Sequence, residues 1–219
     1  MGEIIYSLIL LAAGIGKRTN LGYNKILYKI NNKYLYEYSL KTFIECGFKE
    51  IILVINKNDL EYYNNIDSNI KIVFGGKTRL ESVAKGLDLI TNNYVFIHDA
   101  ARPFVKKEDI KKLIKELNNF DCLSLYSKSF DTVRIKSNNN YQMLNRDDIY
   151  LMQTPQVIKT LKYKNIINEA LNDKNNYTDD VSVYQNYYHD EIKFIEGYKY
   201  NIKVTTKQDL LISEVLLNE

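Results

Sequence analysis

Leu8-Ile9-Leu10-Leu11-Ala12-Ala13-Gly14-Ile15-Gly16-Lys17-Arg18, with Lys25 a few residues later, is the stretch from which the rest of the chain is read. An apolar run of strand length gives way to small residues, two glycines and two cations. Small residues let backbone approach a ligand closely, and glycine adopts dihedrals that other residues resist. Backbone N–H groups in such a turn, beside Lys17, Arg18 and Lys25, form a cradle for a polyphosphate.

Two familiar phosphate loops do not fit. The P-loop pattern fails at Leu11, where its first glycine belongs, and at Arg18, where Ser or Thr should stand. The dinucleotide pattern G-x-G-x-x-G fails at Thr19. What remains, L-A-A-G-x-G-x-R followed by Lys25, resembles the signature loop of sugar-nucleotide pyrophosphorylases and cytidylyltransferases. An ordinary strand-to-turn junction is the plain alternative.

Bulk properties narrow the field. A chain of 219 residues suits one domain, 1–219, with a real core. The net charge of +3 is small, and lysines interleave with acids, which argues against a nucleic-acid surface. Cys46 and Cys122 match no metal or C-x-x-C spacing and read as core thiols in a reducing cytoplasm. Ile4–Ala13 mimics a signal peptide, but Glu3 stands where lysines belong and the run leads into the glycine loop. No run is long enough to span a membrane, so a cytoplasmic protein without a membrane partner is expected.

Further along, Leu35, Tyr38, Thr42 and Phe43 fall at helical spacing and Gly47 follows as a stop. Glu50–Ile55, Ile70–Phe74 and Tyr94–Ile97 read as strands, the last stopping at His98-Asp99. Val83, Ala84, Leu87 and Ile90 trace one helix face, and Ile110, Leu113, Ile114 and Leu117 another. The alternation predicts an α/β, Rossmann-like open and mostly parallel sheet with helices on both faces. Such sheets bind ligands beyond the C-terminal ends of their strands. Ala13-Gly14, Gly75-Gly76 and Asp99 all fall there.

Residues 129–148 break the alternation. Thr132–Lys136 and Tyr141–Leu144 flank polar Ser137–Asn140 and read as a protruding hairpin, either a solvated excursion or a dimerisation arm. Arg146–Gln156 reads as charges and hydroxyls beside turns, and 172–176 as a surface loop. A strand near Ile192–Ile195 and a helix from about Lys207 complete the chain.

Gly75-Gly76 permits close approach to a flat base, with Ser82 adding a hydroxyl and Arg79 a cation for phosphate; Ser82 as a helix cap is the plain reading. Asp99, just past a buried strand, needs a positive partner: magnesium with phosphate oxygens, or Arg102 in a structural pair. His98 beside it reads as a satisfied structural residue. Thr178 and Thr205 or Thr206 read as caps, and Lys203 as a lone cation suited to phosphate.

Taken together, L-A-A-G-x-G-x-R, Lys25, G-G-x-x-R-x-x-S, H-D-A-A-R-P, D-T, Q-T-P-Q, T-D-D and N-I-K-V-T resemble, in order and over nearly the whole length, the 2-C-methyl-D-erythritol 4-phosphate cytidylyltransferases. The resemblance implies CMP transfer from CTP to a polyol phosphate in isoprenoid biosynthesis. It implies nucleotide contacts at Ala12, Ala13, Gly14, Gly16, Gly75, Gly76, Ser82 and Asp99, catalytic cations at Arg18, Lys25 and Lys203, and Mg²⁺ on Asp99. Arg102, Thr154 and Thr178 correspond to substrate positions. Thr132 and Arg146 correspond to arm residues that reach a neighbouring subunit's site, which implies a homodimer. The chain departs from the pattern at Thr19, at Leu21-Gly22-Tyr23-Asn24 before Lys25, and at Lys77. Ribitol 5-phosphate cytidylyltransferases share the loops and are the rival reading; A-A-G and H-D-A-A-R-P favour methylerythritol phosphate. A non-catalytic nucleotide-binding module would be expected to lose Arg18, Lys25 or Asp99, and the chain has all three.

Overall fold

Side chains on the first strand, β1 (Tyr6–Ala12), point alternately to two cores, and the molecule is layered around that alternation. The computed structural model describes residues 5–14, 16, 21–138 and 140–218; Arg18, and with it Lys17 and Thr19, lies outside them. After β1 come a small ribbon of β2 (Lys29–Ile30) and β3 (Lys33–Tyr34), then α1 (Leu35–Glu45). Gly47 follows that helix with φ +87°, the left-handed conformation that stops helices and favours glycine. The chain continues through β4 (Glu50–Ile55), β5 (Lys71–Phe74), α2 (Arg79–Leu87), β6 (Tyr94–Asp99) and α3 (Lys107–Lys115). The expected strand at Tyr94–Ile97 therefore runs on through His98 and Asp99, and its last residues pair with Leu10 and Leu11 of β1.

The second half holds more regular structure than its sequence suggests. It comprises β7 (Cys122–Lys128), β8 (Arg134–Ser137), β9 (Asn140–Met143), β10 (Tyr150–Lys159), α4 (Thr160–Asn172), α5 (Asp180–Tyr187), β11 (Ile192–Glu196) and α6 (Lys207–Asn218). The described residues form one seven-stranded sheet in the order β11-β7-β10-β6-β1-β4-β5, together with the β2-β3 ribbon and the β8-β9 hairpin. β10 runs antiparallel to both β6 and β7, while the remaining neighbours pair in parallel. The mostly parallel sheet expected from the alternation is present.

The segment Arg146–Gln156 is corrected by this topology: it contributes most of a central strand rather than a run of turns. Its pattern is obscured because the register of β10 against β7 shifts between Met152 and Gln156. Pro155 lies in that interval, and a residue without an N–H can sit inside a sheet only where the ladder is interrupted.

Leu8, Leu10 and Phe96 face α1 and α3 through Leu40, Phe43, Ile110 and Leu113. Ile9, Val95 and Ile97 face α2, α4 and α5 through Val83, Leu87, Ile166, Val181 and Tyr184. α6 closes a smaller cluster in which Leu210 meets Ile30, Leu35 and Val204. Among the described residues no helix is long and apolar enough to cross a membrane. Of the two thiols, Cys122 is buried and Cys46 half-buried. Phe96 is fully buried and rings Tyr6 and Phe48 at centroid distances of 5.7 and 5.0 Å. Phe96→Ala should cost about 3–5 kcal/mol of stability, as cavity formation at fully packed aromatics does, measured by urea unfolding.

Candidate active site

The loops after β1, β5 and β6 meet over one crevice. A cavity of about 390 Å³ is lined there by Ala13, Gly14, Lys25, Gly76, Ser82, Asp99 and Lys203, with Arg79 on its wall. The convergence expected from the strand ends is thus realised, and Lys203 joins it from the segment between β11 and α6.

Each loop is pinned by local chemistry. Thr78, not Ser82, caps α2 by accepting the Glu81 N–H, which corrects the plain reading of Ser82. Ser82 instead accepts the Gly76 N–H at 3.0 Å and donates to the Thr78 carbonyl at 2.9 Å, tying the diglycine to the helix. A Cβ on Gly75 would lie 2.4 Å from that of Ala13, so glycine is required for the two strand ends to touch. A Cβ on Gly14 would meet nothing within 4 Å, so packing does not explain that glycine. Ala12 is buried within β1 rather than lining the cavity. Gly16 has φ +60°, and a Cβ there would come 3.1 Å from the Lys25 backbone nitrogen.

Lys25 opens a short 3₁₀ turn, Lys25–Leu27, and is only 8% exposed. Asn24 holds that turn in place. Its Oδ1 accepts the Ile26 N–H at 3.4 Å, and its Nδ2 donates to the Ala12 carbonyl at 3.2 Å and to Asp59 Oδ2 at 2.9 Å. Asn24 was visible in the sequence only as a departure before Lys25; its bonds tie the lysine directly to the end of β1.

Asp99 is the electrostatic centre. Arg102 does not neutralise it by direct pairing; its guanidinium donates to the carbonyls of Asn201 at 2.7 Å and Met152 at 3.3 Å. Arg79 Nε and Lys203 Nζ approach Asp99 at 3.2 and 2.6 Å. Arg79 is therefore engaged as a carboxylate clamp where a fixed cation for phosphate was expected, since its Nη2 also reaches Asp180 at 2.7 Å. Lys203 is likewise an ion-pair partner and not a lone cation. Burial alone would push the Asp99 carboxyl up, but Arg79 and Lys203 hold it well below the usual carboxylate range.

Behind Asp99 lies a closed set of hydrogen bonds. Thr154 Oγ1 accepts the Asp99 N–H at 3.1 Å and lies 3.0 Å from His98 Nδ1, while His98 Nε2 lies 3.1 Å from the Arg102 carbonyl. A carbonyl can only accept, so Nε2 carries the proton and Nδ1 accepts from Thr154. His98 is the satisfied structural residue expected. Gln156 Oε1 accepts the N–H groups of Asp180 and Val181, linking β10 to the start of α5. Asp179, not Thr178, caps that helix, and Thr178 is exposed. Thr206 caps α6, accepting the Asp209 N–H at 3.2 Å.

Thr132 and Arg146 sit on the exposed arm, where an Arg146 Nη1 bond to the Phe130 carbonyl is long at 3.4 Å, and neither lines the cavity. Among the described residues no group of three or more His, Cys, Asp or Glu side chains could enclose a metal. The donor set does fit a hard dication that draws most ligands from phosphate and water, with one permanently ionised carboxylate on the cavity wall.

The family described as 2-C-methyl-D-erythritol 4-phosphate cytidylyltransferase matches residues 6–219. A protein of that name from Clostridium tetani is 36% identical over 219 residues, spanning 94% of this chain and 87% of its own. A crystal structure of 4-diphosphocytidyl-2C-methyl-D-erythritol synthase from Anaerococcus prevotii superposes with a TM-score of 0.89 at 28% identity over 99% of both chains. The 2-C-methyl-D-erythritol 4-phosphate cytidylyltransferase of Francisella tularensis gives 0.78 at 32% identity, over 96% of this chain and 99% of that one.

Burial lowers His98 to about 4 from its ordinary 6.5. The neutral ring therefore contributes stability that is complete above about 6.5 and lost as pH falls through about 4. The stability difference between the native chain and His98→Asn should be flat above pH 6.5 and shrink below it, measured by urea titration across pH. A difference that widens with acid would contradict the assignment.

Proposed function

The chain belongs to the 2-C-methyl-D-erythritol 4-phosphate cytidylyltransferase family, and from that premise we propose that its crevice transfers CMP from CTP to the phosphate of 2-C-methyl-D-erythritol 4-phosphate. An oxygen of the polyol phosphate forms a bond to the α-phosphorus of CTP. The bond from that phosphorus to the bridging oxygen breaks, and pyrophosphate leaves with the electron pair. The attacking oxygen is already anionic near neutral pH, so no strong base is required. Catalysis then rests on alignment and charge stabilisation.

The observation that carries this reading is the meeting of Lys25, Lys203 and Asp99 with Gly14, Gly76 and Ser82 on one cavity at the strand ends. In this reading the Ala13-Gly14 backbone faces the triphosphate, and Gly75-Gly76 with Ser82 face the base. Lys25, Lys203 and Arg18 (outside the described residues) stabilise charge at the α-phosphorus. Asp99 would hold Mg²⁺, which supplies charge neutralisation on the phosphates. Thr154 and Arg102 already have internal partners, which supports a part in holding Asp99 and the loop after β6 beside any contact with substrate.

The arm supports a homodimer. Phe130, Tyr141 and Met143 are 73%, 64% and 63% exposed, more apolar surface than a solvated hairpin would carry. Thr132 and Arg146 would then complete the site of a second subunit. The reading takes 1–219 as one cytoplasmic nucleotidyltransferase domain with the arm at about 129–148.

Lys25→Ala should lower kcat by roughly 10²–10³ while changing the KM for CTP far less, as loss of a transition-state contact does. The assay is pyrophosphate release with CTP and either methylerythritol phosphate or ribitol 5-phosphate. Turnover with ribitol phosphate alone would overturn the substrate assignment, and an unchanged kcat in Lys25→Ala would overturn that residue's role.

A further inference from the structure

The carboxylate oxygens of Asp99 and Asp180 are all engaged by the protein's own groups. Arg79 and Lys203 take those of Asp99; Arg79 and the Tyr163 hydroxyl, each at 2.7 Å, take those of Asp180. Two negative and two positive charges balance. The two cations are not equivalent. Arg79 bridges both carboxylates with its planar fork, and its side chain is 27% exposed. Lys203 holds Asp99 through Oδ2 from a flexible stem, 39% exposed and facing the same cavity. Of the two, Lys203 is the cation able to leave.

We infer that Lys203 is a surrogate cation on Asp99, sealing the carboxylate until a dication arrives together with a polyphosphate, whereupon its ammonium moves from the carboxylate to phosphate oxygen. This rests on the reading of Asp99 as the metal-holding residue. A dication entering alone would have to break the Lys203 pair and settle on Asp99 beside Arg79 and the displaced ammonium, with no added anion to offset the like charges. A polyphosphate supplies that anion, so dication and nucleotide each raise the other's affinity through one exchanged contact. Arg79 keeps its bond to Asp99 and its bridge to Asp180 throughout, so the carboxylate stays oriented during the exchange.

The test is Mn²⁺ titration of the full chain, with free Mn²⁺ read by electron paramagnetic resonance, with and without a non-hydrolysable CTP analogue, protein-bound Mn²⁺ being the depletion beyond that caused by the same nucleotide without protein. The native chain should bind Mn²⁺ weakly alone and at least roughly tenfold more tightly with nucleotide; Lys203→Met and Lys203→Gln should bind Mn²⁺ alone roughly tenfold more tightly than the native chain. Asp99→Asn should abolish binding under both conditions. If both Lys203 variants bind Mn²⁺ alone no better than the native chain while Asp99→Asn still abolishes nucleotide-dependent binding, the seal is overturned and Asp99 stands as the ligand. If Asp99→Asn retains nucleotide-dependent binding, the metal assignment itself falls, and the seal with it.

Discussion

A carboxylate withdrawn from water must be matched by positive charge, and around Asp99 that demand organises the molecule. Arg79 comes from the start of α2, Lys203 from the segment after β11, and Asp180 from the start of α5. One ion cluster therefore ties together segments that are remote in sequence. A buried pair contributes little net stability once desolvation is counted, but removing one partner leaves an uncompensated charge. The cluster is best understood as fixing geometry: it makes one arrangement of these loops far less costly than any other.

The same economy governs the neutral contacts. At each turn around the crevice a side chain satisfies backbone groups that the strand or helix leaves open. Ser82 does so for Gly76, Thr154 for Asp99, Gln156 for the first residues of α5 and Asn24 for the turn carrying Lys25. Buried backbone groups left unpaired would each cost free energy, so these bonds are obligatory. They also stiffen loops that would otherwise be mobile, leaving the long lysine stems to move over a rigid floor. Preorganisation of that kind suits a reaction whose barrier is lowered by aligned charge rather than by proton transfer.

Legibility varied along the chain for identifiable reasons. β4, α2 and α3 were clear because a strand buried on both faces is continuously apolar and a half-buried helix has an apolar stripe. β10 was hidden because Gln153-Thr154-Pro155-Gln156 is polar and ladder-breaking, while its side chains are satisfied by groups from other elements. The cap of α2 went to Thr78, four residues before Ser82, and that of α5 to Asp179, next to Thr178, since several hydroxyl and carboxylate side chains compete at each helix start and only backbone dihedrals choose among them. Asn24 carried no signal at all beyond a departure from pattern.

Order along the chain was enough to establish the alternating architecture, the glycine-rich strand ends and the family resemblance, because hydrophobic period and glycine placement are local properties of sequence. Which charge answers Asp99 was decided only in three dimensions. Arg102 stands three residues away yet turns its guanidinium to carbonyls, whereas Arg79 and Lys203, twenty and more than a hundred positions distant, supply the pairing. Coulombic attraction depends on separation in space and on the local exclusion of water, and both are settled by how the sheet brings its strand ends together.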